Sequence, residues 1–74
     1  MTQRVSLAQG IYPIACLHKT MFAYREICSV SVQDIEKQGY VIEIERRSPE
    51  VDEQVLSHEF LNYLLDLSLE HHLS

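Results

Sequence analysis

The sequence predicts an α+β fold, a two-layer sandwich in the order β-α-β-β-α, with a three-stranded sheet and two helices on one face. Three observations predict it. Cys28, Val30 and Val32 alternate with Ser29 and Ser31, and Tyr40, Ile42 and Ile44 alternate with Val41, Glu43 and Glu45, the period of two that marks half-buried strands. Ile14, Leu17, Met21 and Tyr24 recur at three and four residues, the spacing of one helical face. From Leu56 onward, leucines at the same spacing form two ridges of a second helix, Leu56-Phe60-Leu64-Leu67 and Leu61-Leu65-Leu69.

The first element is short: Val5 and Leu7 alternate with Ser6 and Ala8, and Gln9-Gly10 ends it. Pro13 suits a first helical turn, where its missing N–H costs nothing. Cys16, Thr20, Ala23 and Ile27 widen the apolar face of this helix, while His18, Lys19, Arg25 and Glu26 take the other side together with Phe22, so one aromatic ring points outward. The two central strands read as an antiparallel hairpin joined by Gln33–Gly39, with serines and glutamates toward water and Cys28 and the aliphatic side chains toward the helices. Arg46, Arg47, Ser48 and Pro49 break the pattern, and the second helix is expected to begin within a residue or two of Pro49, with Glu50, Asp52 and Glu53 at the positive end of its dipole. Strand order stays open. A central third strand would leave outer edges to which a peptide could add.

The second helix is apolar over a wider arc than one sheet covers, with a narrow polar stripe of Glu59, Asn62, Asp66 and Glu70. Either the first helix covers the second ridge or another molecule does, and exposed apolar patches of this kind mark interaction surfaces.

A chain of 74 residues has room for one domain, expected to span residues 1–74, and 46% hydrophobic with 23% charged residues is a folding composition. A core of this size contributes no more than about 3–5 kcal/mol, so association is a common remedy. The net charge of −5, eleven carboxylates against six Lys and Arg, argues against nucleic acid as a partner. Cys16 and Cys28, without C-x-x-C spacing, read as reduced buried thiols. No apolar run approaches the roughly 20 residues of a membrane span, and no signal-like stretch follows Arg4, so the expected location is the cytoplasm.

Catalytic chemistry finds few supports. His58, His71 and His72 form no H-E-x-x-H array, and His58 and His71 lie more than three turns apart, so one ion could join them only between two chains. His71 and His72 are expected to be frayed and solvated. Gly10 and Gly39 make no phosphate loop, and a two-layer domain of this size leaves little room for a cavity around a nucleophile. The chain is expected not to be an enzyme and to need no cofactor and no metal.

Ile11-Tyr12-Pro13, then Lys19, Phe22 and Tyr24, then Cys28-Ser29-Val30, and finally HEFLNYLLDLSLE from His58 to Glu70 together resemble the small D-component of the His-Xaa-Ser peptide-modification systems. The likeness covers nearly the whole chain and departs at Leu69-Glu70, where the family's intervening arginine is missing. It implies a bacterial accessory protein, encoded beside radical S-adenosylmethionine (SAM) enzymes, that binds such a maturase or its precursor peptide. The iron–sulfur chemistry would belong to the partner. Carried onto this chain, the matching positions expected at a partner interface are Tyr12, Lys19, Phe22, Phe60, Leu61, Asn62, Leu65 and Asp66. The alternative is a self-associating module, a homodimer through the C-terminal helix.

Overall fold

The computed structural model describes residues 2–73. Its elements run β1 (Thr2–Ala8), α1 (Ile14–Ala23), β2 (Cys28–Gln33), β3 (Gly39–Arg46) and α2 (Glu53–Leu73), the expected β-α-β-β-α order. The sheet order is β1-β3-β2, with both outer strands antiparallel to β3. That settles the strand order. β3 takes the centre because its inward residues Tyr40, Ile42 and Ile44 are all buried, the demand a middle strand meets best. Its register runs from Thr2↔Glu45 to Ala8↔Gly39 on one side and from Cys28↔Arg46 to Gln33↔Val41 on the other.

Two residues shape the hairpin. Asp34 ends β2 with φ at 51°, a left-handed conformation that Asp tolerates better than most residues. Gly39 lets β1 approach, since a Cβ there would lie 2.5 Å from the Leu7 carbonyl oxygen.

The core lies between sheet and helices: Leu7, Cys28, Tyr40, Ile42 and Ile44 from the strands meet Cys16, Leu17, Leu56, Phe60 and Leu64 from the helices. Buried hydroxyls within the helices are satisfied one turn back, Thr20 Oγ1 donating to Cys16 O at 2.9 Å and Ser68 Oγ to Leu64 O at 2.7 Å. Ser57, also buried, hydrogen-bonds the Gln3 side chain and pins α2 to β1.

Two sequence expectations need correction, and one question left open receives an answer. α1 stops at Ala23, and a turn held by Ile27 N and Cys28 N on Tyr24 O takes the chain into β2, so Ala23 and Ile27 are exposed instead of widening the apolar face. α2 begins at Glu53, later than Pro49 suggests, because Asp52 caps it: Oδ1 accepts from Gln54 N at 2.9 Å and Val55 N at 3.1 Å. Arg46 holds the preceding turn by donating from Nη1 to Val51 O at 2.8 Å, and this leaves Glu50 outside the helix. The open question is what α1 covers on α2. Cys16 Sγ reaches Leu67 O, and Tyr24 reaches both Glu59 O and the Tyr63 ring, so α1 lies against the Glu59-Tyr63-Leu67 flank. On a helical wheel the Leu61-Leu65-Leu69 ridge lies on the opposite flank, away from α1.

Candidate functional site

The residues singled out in the sequence fall into an inner and an outer set. Phe60 is inner: it is completely buried, its ring 5.6 Å from Tyr24 in an edge-on contact. It therefore has no surface to offer a partner in this structure, a correction to its expected place at an interface. Tyr12 is half-buried against the core, and its carbonyl accepts the Tyr40 hydroxyl at 2.9 Å. Leu61 is also tucked against the core, while Leu65 is half-buried.

Lys19, Phe22, Asn62 and Asp66 are outer. Phe22 is 65% exposed, its ring stacked under the Arg25 guanidinium with the carbon 4.0 Å from the centroid. Arg25 also donates from Nη1 to Phe22 O at 2.8 Å, so backbone and ring are gripped by one side chain. The result is an aromatic-cation pair on the outside of α1. Asn62 and Asp66, one turn apart, share the outward side of α2 with Leu69, 51% exposed, and Leu73, 86% exposed. These are two stations on the helical layer, one on each helix.

Between the helices lies a cleft of about 280 Å³ lined by Cys16, Lys19, Leu67, Glu70 and His71. Cys28, the other thiol, has its pKa raised by burial, with Arg47 pulling weakly the other way, which disfavours the thiolate a nucleophile needs. Burial, then Glu59, Tyr63 and Cys28, raise the Tyr24 hydroxyl, and burial with Cys16 and Tyr12 pushes Tyr40 up to about 12. Both phenols stay protonated as structural donors. No group of three or more His, Cys, Asp or Glu among the described residues could hold a metal ion. The last turn is less frayed than expected: α2 stays helical to Leu73, and His72 Nε2 lies 3.2 Å from Ile11 O. Among the described residues no helix is long and apolar enough to cross a membrane.

The family model for the His-Xaa-Ser system protein HxsD matches residues 7–74. The chain belongs to the HxsD family. Membership places it in the His-Xaa-Ser system, where the family is an accessory component, and a multi-component system implies protein partners. No curated protein and no solved structure matches the chain. The run from His58 to Glu70, read on this fold, splits between the inner and outer sets: Phe60 and Leu64 build the core, Asn62 and Asp66 face outward. Sequence reasoning missed Tyr63, which stands 5.5 Å from Tyr24 at the α1–α2 seam. Its position one turn after Glu59 was the available signal, hidden by the assignment of that side to solvent.

Proposed function

We propose that this HxsD-family chain is a non-catalytic accessory protein that binds a radical SAM maturase or its precursor peptide in a ribosomal-peptide modification pathway. The family match over residues 7–74 carries the reading. The outer helical stations support it: an exposed aromatic beside a guanidinium is the residue type that dominates interface energetics, and Phe22 with Arg25 is such a pair. Polar Asn62 and Asp66 beside Leu69 supply the mix of apolar contact and hydrogen-bonding groups found where an interface meets its rim.

Purified chain titrated with the radical SAM enzyme of its own system, and separately with the precursor peptide, tests the proposal. A complex with either at micromolar or tighter affinity is expected. No complex with either rules the proposal out.

A second reading is favoured by Leu69 and Leu73, whose exposure on α2 gives a second copy of the chain something to cover. Sedimentation across micromolar concentrations decides it, since a homodimer through α2 would dissociate on dilution and a Leu69→Glu variant would remain monomeric throughout.

A further inference from the structure

The two outer strands of the sheet present different edges. Arg47 N donates to Ile27 O at 2.9 Å. Antiparallel alternation then fixes the hydrogen-bonded pairs of the β2–β3 ladder at Ile27, Ser29, Ser31 and Gln33. The N–H and C=O groups of Val30 and Val32 accordingly point away from β3 into the free edge, and outside that ladder no backbone bond among the described residues engages them. The Cys28 N–H is already bonded to Tyr24 O. At the other edge, Gln9 N on Gln38 O fixes the same alternation and turns Arg4 and Ser6 outward. There Arg4 stands guard, its guanidinium 3.4 Å from Asp34 and 3.9 Å from Glu43, and a charged residue is a common protection for an edge. β2 has no such protection: Cys28-Ser29-Val30-Ser31-Val32-Gln33 contains no charge and no proline.

The geometry points to the β2 edge as the docking site for an extended peptide segment with Lys or Arg at alternate positions, added as an antiparallel fourth strand. This rests on the proposed binding role and gives it a surface and a partner chemistry. Backbone bonds to Val30 and Val32 would supply the pairing. Residues of the incoming strand opposite Ser29 and Ser31 would form the non-hydrogen-bonded pairs, whose side chains approach most closely on the open face of the sheet. Beside those serines stand Glu45 and Glu43, their register partners on β3. Two strand spacings separate the incoming backbone from these carboxylates, roughly 10 Å, and small serines leave the path open to a long basic side chain. Glu43 is already met by its direct register partner Arg4 on β1, at 3.9 Å, and by the Gln33 amide, so Glu45, opposite Ser29, is the more open of the two carboxylates.

Charge also selects against a second copy as the occupant. Pairing β2 with its own duplicate would bring a second chain of net charge −5 to the same face, whereas a basic segment brings charge of the opposite sign to it.

The test uses the isotope-labelled full chain and a capped synthetic peptide of alternating lysine and valine, with a glutamate-for-lysine peptide as control. Amide shifts and slowed hydrogen exchange are expected at Val30 and Val32, with no binding of the control. Val30→Pro removes an outward donor without touching the β3 ladder and should abolish binding. Ser6→Pro at the opposite edge should leave it unchanged. Glu43→Gln with Glu45→Gln should weaken it by about fivefold. Shifts confined to β1 or the helices, equal binding of the acidic peptide, or self-association that Val30→Pro abolishes would each overturn the inference. Should Val30→Pro fail to fold, exchange protection of Val30 and Val32 in the unaltered chain decides the matter. Failure of this titration leaves the accessory role standing, whereas absence of any complex with the maturase or precursor defeats that role independently.

Discussion

Phe60 and Asn62 stand two residues apart in one helix and meet opposite surroundings. Phe60 is enclosed by Tyr24 and the sheet, whereas Asn62 faces outward with Asp66. The contrast extends to both helices: Leu17, Thr20, Phe60, Leu64 and Ser68 form a seam with almost no solvent contact, while Phe22, Leu69 and Leu73 stand clear of it. The run from His58 to Glu70 is therefore not one functional motif. Its members divide into those that make the fold and those free to touch something else, and the two kinds should fail in different ways when altered.

The largest effect belongs to the seam. Phe60→Ala leaves a cavity costing about 3–5 kcal/mol, as much as the whole net stability typical of so small a core. Circular dichroism should show the variant largely unfolded at 25 °C; a cooperative melt near that of the unaltered chain would mean that Phe60 is not central. Asp52→Ala tests where seam and exterior meet, at the start of α2. Losing both cap bonds should cost about 1 kcal/mol, read as a lower urea midpoint with unchanged slope.

Tyr40 sharpens the comparison by pH. Its pKa is raised from 10.0 to about 12 in the folded chain, so the unfolded chain releases the proton first as pH rises. The stability tied to the protonated phenol is complete below pH 10 and falls away between about 10 and 12. Tyr40→Phe loses the bond to Tyr12 O, about 1 kcal/mol near neutrality. Its stability should also decline less steeply with alkali, a residual slope remaining because Tyr24 is raised in the same direction. Equal slopes in the two proteins would remove Tyr40 from the alkaline response.

Most of the fold was legible in the sequence because periodicity reports which side of an element is buried. Periods of two at Val5–Ala8, Cys28–Val32 and Tyr40–Glu45, and of three and four from Ile14, located four of the five elements within a few residues. Periodicity does not report which neighbour does the burying. The strand order and the flank of α2 that α1 covers were consequently hidden, and the wheel that placed Leu61, Leu65 and Leu69 on one side could not say what lay beside them. The start of α2 was misread because Pro49 is a strong local signal, whereas the bonds that delay the helix come from Arg46, a residue of the preceding strand. Phe22 was legible as an outward ring; its contact with Arg25 was not, because the rotamers of two exposed side chains leave no mark on the sequence pattern.

The division between seam and exterior is tested most directly by one pair of numbers on Phe22→Ala combined with Asn62→Ala: the melting temperature and the affinity for the system's radical SAM enzyme or precursor peptide. Surface substitutions of this kind should shift stability by no more than about 0.5 kcal/mol, with affinity falling at least about tenfold, as expected of an aromatic anchor. Unchanged affinity at unchanged melting temperature would contradict the assignment of these helix exteriors to partner binding.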